Sequence, residues 1–187
     1  MKRKIRILYI VNVDWFFISH RLPIALSAIE SGYEVHVATA VTGFENEFKK
    51  HGIHLHKLKL ERAGINPFKN LLSTIEMISV INKVSPIIVH LVTIKPIILG
   101  GIATLFSKIY SRSEISIVSS ITGVGYPFTS ETIKAKLLKL IISRLYKISF
   151  YHKFRCIIFQ NKDDLNLISS LLKLKSKEKV LIPGSGV

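Results

Sequence analysis

Ile5-Arg-Ile-Leu-Tyr-Ile-Val11 runs straight into Asn12-Val-Asp-Trp-Phe-Phe-Ile-Ser-His-Arg-Leu-Pro23, and the next apolar run is Gly32-Tyr-Glu-Val-His-Val-Ala38. The first piece is short and almost unbroken in its apolar character, as a strand covered on both faces requires. The second begins polar and turns aromatic, which reads as a loop over 12–18. Ser19 can then cap a helix that tolerates Pro23 in its first turn. Leu22, Ala25, Leu26 and Ile29 give that helix its apolar stripe, and Gly32 closes it before a second strand at 35–39. Strand, loop, helix and strand in this order open a parallel α/β sheet.

The alternation continues outward. A short helix at 45–50 precedes a strand at 53–58, and Pro67 starts a longer helix carrying Leu71, Leu72, Ile75, Ile78 and Ile81, with Pro86 after its end. Strands are expected at 87–92, 115–120, 156–160 and 179–182, with helices at 96–110, 131–151 and 163–172 between them. Gly100, Gly101 and Ala103 would let the helix at 96–110 sit close to the sheet. The pattern predicts an α/β fold, a Rossmann-like doubly wound parallel sheet in a single domain. Ligands of such sheets bind beyond the carboxyl ends of the strands, so the loops 12–19, 92–96, 121–130 and 160–164 matter most.

With 187 residues the chain holds one sizeable core. Its 27 Lys and Arg against 12 Asp and Glu leave a net charge of +15, which implies an anionic partner. No recognised nucleic-acid module accompanies that charge, so nucleic acid is not expected. Cys156 is the only cysteine and lies in an apolar run, which excludes an internal disulfide framework and suggests a buried, inert thiol in a cytoplasmic protein. The most apolar stretch, 87–106, is interrupted by His90, Lys95 and Pro96, whereas a spanning helix needs about 20 predominantly apolar residues. A soluble or peripheral protein is expected.

The loops carry the chemistry. His20 and Arg21 would lie at a helix N-terminus and resemble a phosphate clamp, with Asp14 and Trp15 beside them; alternatively, the aromatics and His20 simply pack. Lys95 at a helix start opposes the dipole and suits an anion, unless it snorkels to solvent while His90 serves as a core histidine. Thr122-Gly123-Val-Gly125 is a glycine-rich turn without the dinucleotide fingerprint, and no cofactor is expected. His51, His54 and His56 cluster, but no further ligand is close in sequence, so no metal is assigned. Lys136, Lys139 and Lys147 lie on a helix whose stripe is Leu137, Leu138, Ile141, Ile142, Leu145 and Ile148. Such a helix suits either an anionic membrane surface or ordinary packing with a solvated lysine face.

Together Val13-Asp-Trp-Phe-Phe-Ile-Ser-His-Arg-Leu-Pro, Val89-His-Leu-Val-Thr-Ile-Lys-Pro, Ile121-Thr-Gly-Val-Gly-Tyr, Ile158-Phe-Gln-Asn-Lys-Asp-Asp and Ile182-Pro-Gly-Ser-Gly-Val resemble, in order, the N-terminal domain of bacterial family 4 glycosyltransferases. The resemblance implies one half of a GT-B architecture over residues 1–187, facing a C-terminal nucleotide-sugar-binding domain that these residues do not contain. It implies a retaining, metal-independent hexosyl- or glycosyltransferase. Its partners would be a nucleotide-sugar donor, held by a donor domain in cis or on a separate subunit, and a polyprenyl-linked saccharide acceptor at the inner face of the plasma membrane. Products of such enzymes include lipopolysaccharide, capsule and glycoprotein glycans.

Asp14, Trp15, His20, Arg21, His90, Lys95, Thr122 and Gly123 would line the acceptor side. Relatives often place a histidine at the end of the fifth strand, where this chain has Ile121-Thr122-Gly123, so no catalytic base is assigned. The family's two glutamates eight positions apart do not occur here. The isolated chain would then be inactive, whether as a truncated product, an excised domain or one subunit of a split enzyme. The alternative is a non-catalytic module that recruits a partner to anionic membrane.

Overall fold

The computed structural model describes residues 5–61, 66–111, 114–124, 128 and 132–184. Its strands are β1 (Arg6–Val13), β2 (Glu34–Ala40), β3 (His54–Lys57), β4 (Ile88–Val92), β5 (Ser116–Ile121), β6 (Arg155–Phe159) and β7 (Lys179–Leu181). All pair in parallel in the order β3-β2-β1-β4-β5-β6-β7. The direction of winding reverses between β1 and β4, which makes their carboxyl ends the switch point.

Seven helices connect the strands among the described residues: α1 (Asp14–His20), α2 (Leu22–Glu30), α3 (Glu45–Lys50), α4 (Pro67–Val84), α5 (Ile94–Ser111), α6 (Ile133–Ser149) and α7 (Lys162–Leu172). Two apolar clusters record the double winding. Tyr9, Val11, Val35 and Val37 pack with Phe17, Ala25 and Phe48 on the side of α1 to α3. Leu8, Ile10, Val89, Leu91 and Ile117 pack with Met77, Ile81, Ile97, Tyr146 and Ile168 on the side of α4 to α7. The alternation of burial along each strand therefore feeds two cores, one per face.

The loop expected over 12–18 is instead helical. α1 begins directly at the end of β1, with Val13 at its N-cap and no side-chain cap. What holds it is burial: Phe17 is fully buried, edge-on to Tyr9 at 5.5 Å and stacked on Phe48 at 5.5 Å. Ser19 is not a cap, because its hydroxyl donates back to the Trp15 carbonyl. Arg21 ends α1 and opens α2, so His20 sits in the last turn of a helix rather than at an N-terminus.

α4 follows its sequence signals at both ends. The Asn66 side chain accepts from the amides of Phe68 and Lys69, Pro67 occupies the first turn, and Ser85 closes the helix in the left-handed region at φ 49°. Its face is rotated from the expected stripe: Ser73, Thr74, Met77, Ile81 and Val84 are buried, while Leu71, Leu72 and Ile75 are exposed. Of the paired glycines in α5, Gly100 approaches the sheet and Gly101 approaches α6. A Cβ at Gly101 would lie 2.6 Å from the Ser149 carbonyl oxygen, so the helix crossing itself requires glycine. Cys156 is half-buried rather than fully enclosed, and burial raises its thiol pKa.

Candidate functional site at the carboxyl edge of the sheet

Parallel strands bring the ends of β1, β4 and β5 to one edge, and most of the sequence-predicted residues lie there. Asp14 is the first of them, and its role differs from the one expected. It is fully buried. Its carboxylate accepts from the amides of Trp15 (2.8 Å), Thr42 (2.6 Å) and Phe44 (3.1 Å) and from the Thr42 hydroxyl (2.6 Å). Burial works to raise its pKa, but these donors outweigh it and hold the carboxyl below the usual aspartate range. Asp14 thus clasps the loop after β2 to the start of α1 and offers no lone pair to a ligand.

Trp15 and His20 are half-buried on α1. His20 stacks on Phe16 with ring centroids 4.3 Å apart and planes 6° apart, and Trp15 meets Phe16 edge-on at 5.9 Å. The three rings form an aromatic ladder along one short helix. Arg21, expected beside His20 as a clamp, is buried at 4% exposure, and its guanidinium donates to the His20 carbonyl at 2.9 Å.

Beneath this helix lies a buried polar set. His90 is in register with Tyr9 across β1 and β4, with the rings 5.0 Å apart, and its Nε2 is hydrogen bonded to Ser120 Oγ at 2.8 Å. Burial, reinforced by the Arg21 charge, brings the His90 pKa down to about 3, so the ring is neutral. Burial likewise pushes Tyr9 up to about 12 despite Arg21. His90 and Arg21 therefore support the edge from below instead of lining its surface.

The turn from β4 into α5 contains a residue that sequence reading passed over. Thr93 has φ 74°, a left-handed conformation that a β-branched residue rarely adopts and that costs about 1–3 kcal/mol. Its amide donates to the Ser120 carbonyl at 3.3 Å and its carbonyl accepts from Ile97 at 3.0 Å, which pins the turn. Its Oγ1 is buried without a hydrogen-bond partner among the described residues, as is Asn12 Oδ1 near the end of β1. The two strands that flank the switch point thus both end close to a polar atom that no described residue satisfies. The only sequence signal was a β-branched residue at a strand-to-helix turn where glycine would be unstrained.

Lys95 follows in the first turn of α5. Burial lowers its pKa, Glu61 partly offsets this, and its ammonium donates to the Glu61 carbonyl at 2.8 Å. The lysine thereby ties α5 to the segment leading to α4. Thr122 and Gly123 follow β5, half-buried, with Gly123 at φ 134° and open space where a Cβ would stand. Gly125 and Pro127 of the same turn lie outside the described residues.

Lys136, Lys139 and Lys147 are exposed on α6, with Lys139 also over the Phe128 ring at 5.6 Å. The helix buries Tyr146 and Ser149, while Ile133, Leu137, Leu140, Ile141 and Ile148 are exposed. The apolar stripe read from sequence therefore splits: part packs inward and part shares the outer surface with the lysines. Lys147 also lines a concavity of about 630 Å³ with Arg155 and Lys173, at the amino end of β6 and away from the carboxyl edge.

A doubly wound parallel sheet with its switch point between β1 and β4 defines a Rossmann-like α/β domain. Residues 6–161 match the glycosyl transferase 4-like family, and the chain belongs to it. It is 24% identical over 169 residues to the N,N'-diacetylbacillosaminyl-diphospho-undecaprenol alpha-1,3-N-acetylgalactosaminyltransferase of Campylobacter jejuni subsp. jejuni serotype O:2, covering 89% of this chain and 43% of that one. Its fold is similar to a glycosyltransferase from Rickettsia africae (TM-score 0.62, 16% identity, 97% of this chain and 43% of that one). It is also similar to MurG of Acinetobacter baumannii (TM-score 0.57, 16% identity, 96% of this chain and 45% of that one). The chain spans less than half the length of each of these relatives. Among the described residues, no helix is long and apolar enough to cross a membrane.

Proposed function

We propose that this chain is the acceptor-binding half of a glycosyltransferase that moves a sugar from a nucleotide sugar to a polyprenyl-diphosphate-linked saccharide, with a donor-binding domain acting in cis or in trans. The observation that carries this reading is the switch-point edge, where α1 springs directly from the end of β1 and gathers the half-buried rings of Trp15, Phe16 and His20. The relative's printed acceptor, a saccharide on diphospho-undecaprenol, supports the acceptor class. In this arrangement the aromatic ladder offers a flat face to a sugar ring. Thr122 and Gly123 let the acceptor approach the end of β5, and Lys95 adds a positive charge near the diphosphate.

The two halves together exclude water from the reaction, so turnover depends on both. The transfer retains anomeric configuration and serves surface polysaccharide or glycan synthesis. Lipid-linked acceptor also requires access to the inner membrane face. The exposed Leu137, Leu140 and Ile141 with Lys136, Lys139 and Lys147 on α6, and Phe68, Leu71, Leu72 and Ile75 on α4, supply an apolar and basic contact for anionic lipid. The same surface favours a second reading, a non-catalytic module that recruits a partner to the membrane.

Trp15 is the only tryptophan and stands in the proposed site, so its fluorescence reports occupancy. Titration with a short-chain polyprenyl diphospho-N-acetylhexosamine in detergent should give a saturable change, weakened about tenfold, the equivalent of ~1.4 kcal/mol, by His20→Ala or Lys95→Ala. Binding to anionic vesicles should be unchanged in both variants. Vesicle binding without any saturable response to the saccharide would transfer the case to the recruiting module.

A further inference from the structure

We infer that Glu34, His36 and His54, at the edge formed by β2 and β3, constitute a site for a divalent transition-metal ion of the zinc class, with His56 orienting His36 from behind. The donor atoms of the first three all lie within 4.8 Å of one another. Register creates the cluster: His36 pairs with His54 and Ala38 with His56 across β2 and β3, so two residues of each strand converge on one side of the sheet. The ligands that seemed missing around His54 and His56 are supplied by the neighbouring strand. His51, the third histidine of the sequence cluster, turns away and faces Glu47 at 3.8 Å.

The hydrogen bonds fit a metal centre with outer support. His36 Nε2 is 2.8 Å from Glu34 Oε1, and its Nδ1 is 3.0 Å from His56 Nε2. An ion placed between Glu34, His36 Nε2 and His54 would take over the contact that now joins Glu34 and His36. The Nδ1–H of His36 would then donate to His56, the kind of contact that fixes the orientation of a metal-bound imidazole.

Tetrahedral zinc with bonds of about 2.0–2.1 Å holds its donors about 3.4 Å apart. The Glu34–His36 contact at 2.8 Å must therefore open while His54, exposed and stacked on His36 at 4.6 Å, closes in. Two imidazoles and one carboxylate select zinc, copper, nickel or cobalt over magnesium or calcium, and leave a fourth position for water.

The surrounding charge tempers the affinity. Arg6 Nε is 3.4 Å from Glu34 Oε1, and Lys83 on α4 acts on His56. Arg6 is also anchored by donation to the Val84 carbonyl at 2.7 Å, so it keeps a partner when Glu34 turns to the ion. Lys57 is engaged by Glu45. The site lies toward the amino ends of β2 and β3, remote from the carboxyl edge, and its consequence is to fasten the edge strand β3 to the sheet.

The test is calorimetric titration of the EDTA-stripped full chain with zinc sulfate, with cobalt as a spectroscopic probe of coordination. One equivalent should bind, and the thermal midpoint should rise. His54→Ala, an exposed substitution that spares the core, should weaken binding by about 100-fold, and His56→Gln by about 10-fold. His51→Ala should leave it unchanged. Absence of stoichiometric binding, or equal binding by wild type and His54→Ala, would overturn the assignment. So would loss of binding in His51→Ala, because the ion would then belong to the Glu47–His51 pair.

Discussion

Acidification should destabilise this chain through its buried imidazoles, chiefly His90 and His152, with half-buried His56, brought down to about 4 by burial, acting in the same direction. His90 has a pKa of about 3 and His152 of about 4, in both cases chiefly because burial penalises the charged ring, against 6.5 for an unperturbed histidine. Both pKa values are depressed, so the unfolded chain binds more protons than the folded one between about pH 6.5 and the folded values, and stability falls as pH falls. At pH 5 each unfolded ring is almost fully protonated while each folded ring is neutral, which costs about 2 kcal/mol per histidine and about 4 kcal/mol together relative to pH 7.5. Asp14 does not contribute here: its pKa is held below the usual range, so its stabilisation is lost only at lower pH.

Urea unfolding in EDTA at pH 7.5 and 5.0, followed by Trp15 fluorescence and far-ultraviolet circular dichroism, measures the difference. With a slope of about 2 kcal/mol per molar, His90 and His152 alone should lower the midpoint by about 2 M, and His56 adds to that fall. His90→Gln and His152→Gln should each remove about 2 kcal/mol of the pH difference, whatever they do to stability at pH 7.5. Midpoints that coincide at the two pH values, or variants whose pH difference matches wild type, would refute the assignment of neutral buried rings.

Gly101→Ala should cost about 1–3 kcal/mol, because its Cβ would meet the Ser149 backbone and force α5 away from α6; a thermal midpoint equal to wild type would count against that crossing. Asp14→Asn replaces an acceptor of four hydrogen bonds with a group that must turn a donor toward other donors, and should cost about 3 kcal/mol in urea unfolding at neutral pH. If it does not, the clasp between α1 and the loop after β2 is not a major support. Reversing Lys136, Lys139 and Lys147 to Glu should release the chain from anionic vesicles in a sedimentation assay, since each lysine near a charged surface contributes about 1 kcal/mol. Unchanged sedimentation would remove α6 from the membrane contact.

How far the sequence speaks depends on the range of the interaction that decides each feature. The strands were legible because a strand buried on both faces must be a short apolar run, as at 5–11 and 87–92. Their alternation with helices dictates parallel pairing, and parallel pairing dictates that the loops after β1, β4 and β5 share an edge. That much of the fold and of the location of the site is local pattern. Other features were decided at distance. α1 has no side-chain cap, and its three consecutive aromatics read as a loop; burial of Phe17 against Tyr9 and Phe48 makes it a helix.

The same distinction separates the residues of the site. Asp14 reads in sequence as a residue lining the acceptor side, yet its partners lie 28 and 30 positions away at Thr42 and Phe44, and only the folded loop reveals that all its lone pairs are engaged. Arg21 and His90 were placed at the right edge, but burial puts them beneath it. Thr93 shows its strain only through a backbone angle. Glu34 and His36 join His54 through strand register, which the order of residues does not encode by itself. Composition and periodicity thus determined the sheet, its winding and the edge to which sheets of this kind bring their ligand loops. Tertiary structure decided which polar groups on that edge remain unsatisfied, because satisfaction is settled by partners brought together from far along the chain.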